Sequence, residues 1–185
     1  MKINTKPLPG MMELLPEEQL EFNRIMAIIQ KNYEKFGFTP IDTPVIERTE
    51  TLLAKAGGET EKQIYRFSKG DNDLSLRFDL TVPTARFVAE NFGQLQFPFK
   101  RSQIGKVYRG ERAQRGRFRE FYQCDIDVIG NGKLDIKNDA ELPYIIYEIF
   151  SKIINEKFAI NFSNLKILKK LRQSILFQKN HDILI

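Results

Sequence analysis

The sequence is poor in several residue types: its 185 residues include no tryptophan, one cysteine and one histidine. A lone cysteine, Cys124, excludes an internal disulfide framework and favours a cytoplasmic setting. Because His181 is the only histidine, a histidine-based catalytic triad or zinc site is also excluded. No apolar run approaches the length of a membrane span, and the first residues lack a signal-peptide pattern, so no membrane association is expected.

The residues that are present fit one globular domain. Hydrophobic residues make up 42% and charged residues 29% of the chain, which is enough for a sizeable core and a solvated surface. The formal net charge of +5 is compatible with an RNA partner, although charge alone does not identify one.

The most informative stretch runs from Ile104 to Gly130. Strand-like arms, Ile104 to Glu111 and Arg117 to Ile129, flank a basic loop that turns at Gly116. Since side chains alternate along a strand, the second arm is predicted to have an apolar face and a polar face. The polar face carries Arg117, Arg119, Phe121, Gln123, Asp125 and Asp127.

Two interpretations of this polar face remain open from the pattern alone. Guanidinium groups suit phosphate oxygens, and a ring on the same face can stack on a purine. The alternative is a solvated sheet face on which arginines and carboxylates form cross-strand ion pairs. Cys124 falls on the apolar side of the strand, which predicts a packing role rather than a nucleophile.

The wording of this stretch resembles motif 2 of class II aminoacyl-tRNA synthetases, in which Arg-x-Glu, a loop, and Arg-x-x-x-Phe follow one another. The matching segments are Arg109-Gly110-Glu111 and Arg117 to Phe121. The longer text, GKVYRGER followed by GRFREFYQCDIDVIG, is similar to the histidyl-tRNA synthetase family, and the resemblance covers most of residues 7–165.

The resemblance implies a nucleotide site. Arg109 is expected to be catalytic, contacting the α-phosphate of ATP and the carboxylate of histidine. Glu111 is expected to accept a hydrogen bond from the adenine amino group, Phe121 to stack on adenine, and Arg117 to hold the terminal phosphates. Magnesium is expected to accompany ATP, but no ligand set for it is readable.

The resemblance also implies a histidine site. Asp79, Thr81 and Gln123 are expected to surround the α-ammonium group, and Asp127 to accept a hydrogen bond from the imidazole. For Asp79 and Thr81 a second interpretation stands, because Asp and Thr at a strand-to-helix junction are ordinary helix caps.

Two further contacts follow from the same family. Gln114 and Arg115 in the basic loop are expected to approach the acceptor end of tRNA(His). The segment Gly37 to Glu47 resembles motif 1, a helix followed by a strand that ends in proline, here Pro44, and the resemblance implies that it forms a homodimer interface. Its two prolines in a β-rich run predict an edge or irregular strand.

The fold class expected is α+β: an antiparallel sheet flanked by helices, as in the catalytic core of class II synthetases. Residues 1–165 are expected to form the first portion of that core and residues 166–185 a divergent tail. The sequence has no counterpart of the family's Arg-Gly-Leu-Asp-Tyr-Tyr motif, of motif 3 or of the anticodon-binding domain. The core is therefore expected to be incomplete, which puts independent catalysis by the isolated chain in question.

Three functions are compatible with these residues. The first is histidine–tRNA ligase activity, favoured by the complete set of motif 2 residues. The second is that of the synthetase-like regulatory subunit of ATP phosphoribosyltransferase, which binds histidine without charging tRNA. The third is a dimerising fragment without activity.

Overall fold

The computed structural model describes residues 3–54 and 58–161. The chain divides into two compact units, Met1–Ile153 and Ile154–Ile185. The expected boundary near residue 165 and the expected tail lie outside the described residues. In the part described, the helices are α1 (Pro16–Lys35), α2 (Thr49–Leu53), α3 (Gly58–Gln63), α4 (Thr81–Glu90) and α5 (Lys137–Ile153). The strands are β1 (Thr39–Pro40), β2 (Ile46–Arg48), β3 (Arg66–Lys69), β4 (Asn72–Leu76), β5 (Phe99–Tyr108) and β6 (Glu120–Ile129).

The strands form two small sheets. In the first sheet, β5 and β6 pair antiparallel over their full lengths, from Phe99 opposite Ile129 to Tyr108 opposite Glu120, and β1 adds to β5 in parallel. The second sheet has the order β2-β4-β3 and is antiparallel throughout. The expected antiparallel α+β architecture is confirmed, with β1 as a short parallel addition at an edge.

Helices α1 and α5 cover one face of the β5–β6 pair. Tyr33 and Phe38 meet Ile145 and Ile149 in the buried core. The side chains that β5 and β6 contribute to this core are Ile104, Cys124, Ile126 and Val128. The apolar parity predicted for the second arm is therefore the parity that packs against helices, because burial of these side chains removes apolar area from water.

Cys124 has the surroundings of a packing residue. The Tyr33 hydroxyl donates a hydrogen bond of 3.0 Å to the Cys124 carbonyl oxygen, which ties α1 to β6. Burial raises the pKa of the Cys124 thiol to about 11. A thiol with that pKa carries little thiolate at neutral pH, so it is a poor nucleophile, as its position in the sequence predicted.

The predicted bounds of the two arms were wrong at three ends. Strand β5 begins at Phe99 rather than Ile104 and ends at Tyr108, so Arg109 and Glu111 lie beyond it; β6 begins at Glu120 rather than Arg117. The chain leaves the ladder at Gly110 because its N–H donates to the Gln63 carbonyl at the end of α3, at 2.6 Å. The beginning of β5 was not predicted because residues 100–103 are four consecutive polar residues and show no alternation.

Among the described residues, no helix combines the length and the apolar character that crossing a bilayer would require.

Candidate functional site

The second face of the β5–β6 pair, opposite the core, carries the polar residues. The register sets Arg101 opposite Asp127, Gln103 opposite Asp125, Gly105 opposite Gln123, and Val107 opposite Phe121. The predicted common face for Phe121, Gln123, Asp125 and Asp127 is therefore confirmed. Arg117 and Arg119, which were predicted on the same face, lie before β6 begins at Glu120, so that part of the prediction was wrong. From here on, the polar face means the eight paired positions given above.

Arg109 lies just past the end of β5, between two aromatic rings. Its guanidinium carbon is 4.6 Å from the ring centre of Phe78 and 5.0 Å from that of Phe121. Its Nε donates a hydrogen bond of 3.2 Å to the Phe78 carbonyl oxygen. These contacts hold the guanidinium plane in place and leave its terminal nitrogens available for an anion.

Glu111 and Arg117 face each other across the basic loop. Arg117 Nη1 donates to Glu111 Oε2 at 3.3 Å, and the Arg117 side chain is 63% exposed. Exposed ion pairs of this kind contribute little stability, so the Arg117 guanidinium can leave Glu111 for another anion without a large loss. Arg119 anchors the basic loop, because its Nε donates to the Glu111 carbonyl oxygen at 3.0 Å.

The tip of the basic loop is a tight turn. The backbones of Gln114 and Arg117 exchange hydrogen bonds of 3.2 and 2.9 Å. Gly116 makes the turn possible, since its φ of 76° lies in the left-handed region. Gln114 and Arg115 are both exposed at this tip, a position compatible with contact to a large external partner.

Asp79 and Thr81 occur where α4 begins. Asp79 Oδ1 accepts a hydrogen bond of 3.0 Å from the Val82 N–H, which is the contact expected of a helix cap. Thr81 is the first residue of α4 and is exposed. Asp79 precedes the N-cap residue of α4, Leu80, and its bond to the first turn of the helix uses only one of its two carboxylate oxygens.

Asp125 shows that charged groups from several segments share one neighbourhood. Burial raises the pKa of its carboxyl; the Arg101 guanidinium opposes that rise, Asp127 and Asp79 add to it, and Arg109 lowers it. Side chains from β5, from β6, from the start of α4 and from the loop after β5 therefore act on the same carboxylate. Asp79, which is distant in sequence, lies close enough to Asp125 to raise its pKa.

We expect Asp125→Asn to raise the melting temperature by a few degrees at pH 7. Because the pKa of Asp125 is higher in the folded than in the unfolded chain, the ionised form destabilises the fold above that pKa. The destabilisation disappears when the pH falls below the ordinary carboxyl pKa, so the rise in melting temperature caused by Asp125→Asn should shrink as the pH is lowered. Thermal unfolding of both chains at several pH values measures this difference in melting temperature. Asp71→Asn, at an exposed turn, is the control; destabilisation by Asp125→Asn at pH 7 would contradict the prediction.

Arg101 and Gln103 form the buried part of the polar face, and neither was identified from the sequence. Arg101 is fully buried; its Nη2 contacts Asp127 Oδ2 and lies 3.9 Å from Asp125 Oδ2. Gln103 is also buried and donates to Asp42 Oδ1 at 3.1 Å and to Thr43 Oγ1 at 2.9 Å. The available signal was parity, because both residues continue the odd-numbered side of β5 back from Val107.

Several buried polar atoms on this face lack partners among the described residues. They are Arg101 Nε, Arg101 Nη1, Gln103 Oε1 and Gln123 Oε1. Buried polar atoms in folded proteins are nearly always hydrogen-bonded, so these atoms require partners that the described residues do not supply, such as ordered water or a bound polar ligand. Residues 3–54 and 58–161 contain no group of three or more His, Cys, Asp or Glu side chains arranged to hold a metal ion.

Comparison with known proteins decides the family. The family model for histidyl-tRNA synthetase matches residues 10–183. The chain belongs to the histidyl-tRNA synthetase family. This membership accounts for the class II fold and for the motif 2 residues at the end of the β5–β6 pair.

Curated relatives in this family are close in sequence. The histidine–tRNA ligase of Clostridium tetani is 65% identical over 161 residues, covering 87% of this chain and 37% of the relative. That of Clostridium acetobutylicum is 52% identical over 184 residues, covering 100% of this chain and 43% of the relative. The chain therefore spans about two fifths of the length of the curated relatives it matches.

Solved structures of the family agree. The histidyl-tRNA synthetase of Nostoc sp. PCC 7120 is 40% identical with a TM-score of 0.83, over 93% of this chain and 40% of that one. A Bacillus halodurans structure described as an ATP phosphoribosyltransferase regulatory subunit/histidyl-tRNA synthetase is 26% identical, with a TM-score of 0.68, over 82% of this chain and 38% of that one. These values favour the synthetases over the regulatory-subunit alternative.

Proposed function

We propose that the polar face and the segment around Arg109 form the histidine- and ATP-binding portion of a histidine–tRNA ligase. Such a ligase activates histidine as histidyl-adenylate and transfers it to tRNA(His). The observation that carries this proposal is geometric: Asp125 and Asp127 share one face of the β5–β6 pair, and Arg109 is held between Phe78 and Phe121 just past the end of β5. The phosphates of ATP need cationic side chains, and the α-ammonium group of histidine needs carboxylates. Arg109 and the polar face supply both kinds of charge close together.

Activation requires an oxygen of the histidine carboxylate to attack the α-phosphorus of ATP. A bond to that oxygen forms, the bond from phosphorus to the bridging oxygen breaks, and pyrophosphate leaves with its electron pair. Catalysis of such a step rests on positioning and on cations that meet the developing negative charge. Arg109 serves both needs, because Phe78 and Phe121 hold its guanidinium in one orientation.

The nucleotide is bound by the segment around Arg109. Phe121 presents a ring on which adenine stacks, and Glu111 accepts from the adenine amino group. Arg117 releases its exposed ion pair with Glu111 and binds the terminal phosphates of ATP instead. Magnesium arrives with ATP as part of the substrate, and its charge adds to that of the arginines.

Histidine is bound along the other end of the polar face. The free oxygen of Asp79, the hydroxyl of Thr81 and the Gln123 side chain receive the α-ammonium group. The buried Gln123 Oε1, which has no partner among the described residues, supports this role because an ammonium group would satisfy it. Asp127 accepts a hydrogen bond from the imidazole.

The remaining contacts are with macromolecules. Gln114 and Arg115 approach the acceptor end of tRNA(His) from the exposed tip of the basic loop. A second copy of the chain pairs through the segment around Pro44, where Val45 and Ile46 are 38% and 48% exposed. The reaction takes place in the cytoplasm, where charged tRNA is used.

Histidine binding tests the proposal directly. We expect the chain to bind labelled histidine in equilibrium dialysis with a Kd below about 1 mM, and to bind lysine and phenylalanine far more weakly. Gln123→Ala should weaken histidine binding about tenfold, as loss of a hydrogen bond to a charged group does. Gln94→Ala removes the same amide at an exposed site and is the control. A folded chain that shows no preference for histidine would overturn the proposal. The activation step is measured separately, by histidine-dependent exchange of pyrophosphate into ATP.

A further inference from the structure

We propose that Arg101 is a positioning residue that makes the amino-acid pocket select a neutral imidazole over a cationic side chain. The inference rests on the proposed function and adds a specificity determinant to it. Arg101 is the third residue of β5, is fully buried, and reaches across the polar face to Asp127 on β6.

The contact with Arg101 occupies one side of the Asp127 carboxylate. Arg101 Nη2 contacts Oδ2, while no hydrogen bond from the described residues reaches Oδ1. The Asp127 side chain is 46% exposed, whereas that of Arg101 is only 1% exposed. The carboxylate is thus anchored through Oδ2 to a buried cation, while the side chain is half-exposed and Oδ1 can accept an N–H.

The charges around this carboxylate explain why its pairing matters. Asp125 is two residues away on the same face of β6, and Arg101 Nη2 lies 3.9 Å from its Oδ2; Gln103, opposite Asp125, donates to Asp42 Oδ1 at 3.1 Å. Arg77 also contacts Asp42, at 3.4 Å. Arg101 is therefore the cation in contact with Asp127, and a second carboxylate, that of Asp125, lies close to the same guanidinium group.

Removal of Arg101 would change which form of the substrate binds. With Arg101 in place, Asp127 is already paired with a cation, so it gains little from a second one and accepts a hydrogen bond from a neutral ring. Without Arg101, the pocket holds an unpaired carboxylate and an excess of negative charge, which favours histidinium or lysine.

The pH dependence of histidine binding separates these states. The imidazole of histidine has an ordinary pKa of about 6.5, so its neutral fraction rises about tenfold between pH 5.5 and 8. We expect the affinity of the unaltered chain, measured by equilibrium dialysis, to rise about tenfold over this range. For Arg101→Gln the change should be less than about twofold, with stronger competition by lysine.

Two variants of Arg101 and one control complete the test. Arg101→Lys keeps the charge and should keep most of the pH dependence. Lys106→Gln removes a cation from the same strand on the opposite face, where it pairs with Glu120 at 2.8 Å, and should leave the pH curve unchanged. Circular dichroism establishes that each variant is folded before binding is measured.

Each outcome bears on one proposal. Parallel pH curves for the unaltered chain and Arg101→Gln would overturn the role of Arg101 and leave the proposed function standing. Affinity that is flat or falls from pH 5.5 to 8 in the unaltered chain would do the same, even if Arg101→Gln failed to fold. Absence of histidine binding at every pH would overturn the proposed function itself.

Discussion

Arg109→Ala should weaken ATP binding about a hundredfold, a loss of about 2.7 kcal/mol, without unfolding the chain. Removal of a charge-assisted contact to a phosphate has an effect of this size when the guanidinium is held in position. Arg109 is held by two rings and by one hydrogen bond of 3.2 Å to the Phe78 carbonyl oxygen. Because it is only partly buried, its loss leaves space that water fills, and the β5–β6 pair should remain intact.

Isothermal titration with magnesium-ATP measures this effect, and thermal unfolding monitors the fold. Arg112→Ala is the matched control, since it removes the same charge from an exposed position three residues away. An equal loss in both variants would indicate that net charge attracts ATP rather than a positioned contact. Unchanged affinity in Arg109→Ala would remove Arg109 from the nucleotide site.

The polar face of β6 was readable from sequence because its alternation is clean. Tyr122, Ile126 and Val128 occupy one parity, and Gln123 and Asp125 the other. A strand buried on one side imposes that pattern, so a local window suffices to find it. The motif 2 residues were found by wording rather than by periodicity, and the structure places Arg109 and Glu111 in the loop where periodicity has no meaning.

Arg101 could not be found in the same way. It occurs in a polar run, residues 100–103, and a run without alternation resembles a solvated connector. Its partner Asp127 is on another strand, and only the register of β5 against β6 brings the two together. A pairing that depends on register is a property of the sheet, which no single stretch of sequence encodes by itself.

Arg77 illustrates the same limit over a longer range. Its Nε donates to the Lys106 carbonyl oxygen at 2.7 Å, and its Nη1 donates to the Thr43 carbonyl oxygen at 2.6 Å. The side chain is 3% exposed, so it links β5 to the loop after β1 from within the protein. In the sequence Arg77 lies two residues before Asp79, and no local pattern marks it as a buried link.

Gly105 is the residue that makes room for this link. A β-carbon at position 105 would overlap the Arg77 Nη2 atom and would lie 3.5 Å from Leu80 Cδ2. The end of an arginine side chain usually moves aside easily, but here two hydrogen bonds to buried carbonyl groups restrain it. We therefore expect Gly105→Ala to destabilise the chain by about 2 kcal/mol, in the range of an overpacked core.

A double-mutant cycle tests the link between Gly105 and Arg77. Arg77→Ala alone should destabilise by about 3 kcal/mol, because it leaves two carbonyl groups without a donor. In the Arg77→Ala background, Gly105→Ala should change stability by less than about 0.5 kcal/mol, since the guanidinium it would displace is gone. Urea unfolding of the four chains supplies the energies. Gly93→Ala, where a β-carbon meets nothing within 4 Å, controls for the backbone effect of replacing glycine. Additive losses would show that Gly105 is needed for some reason other than the passage of Arg77.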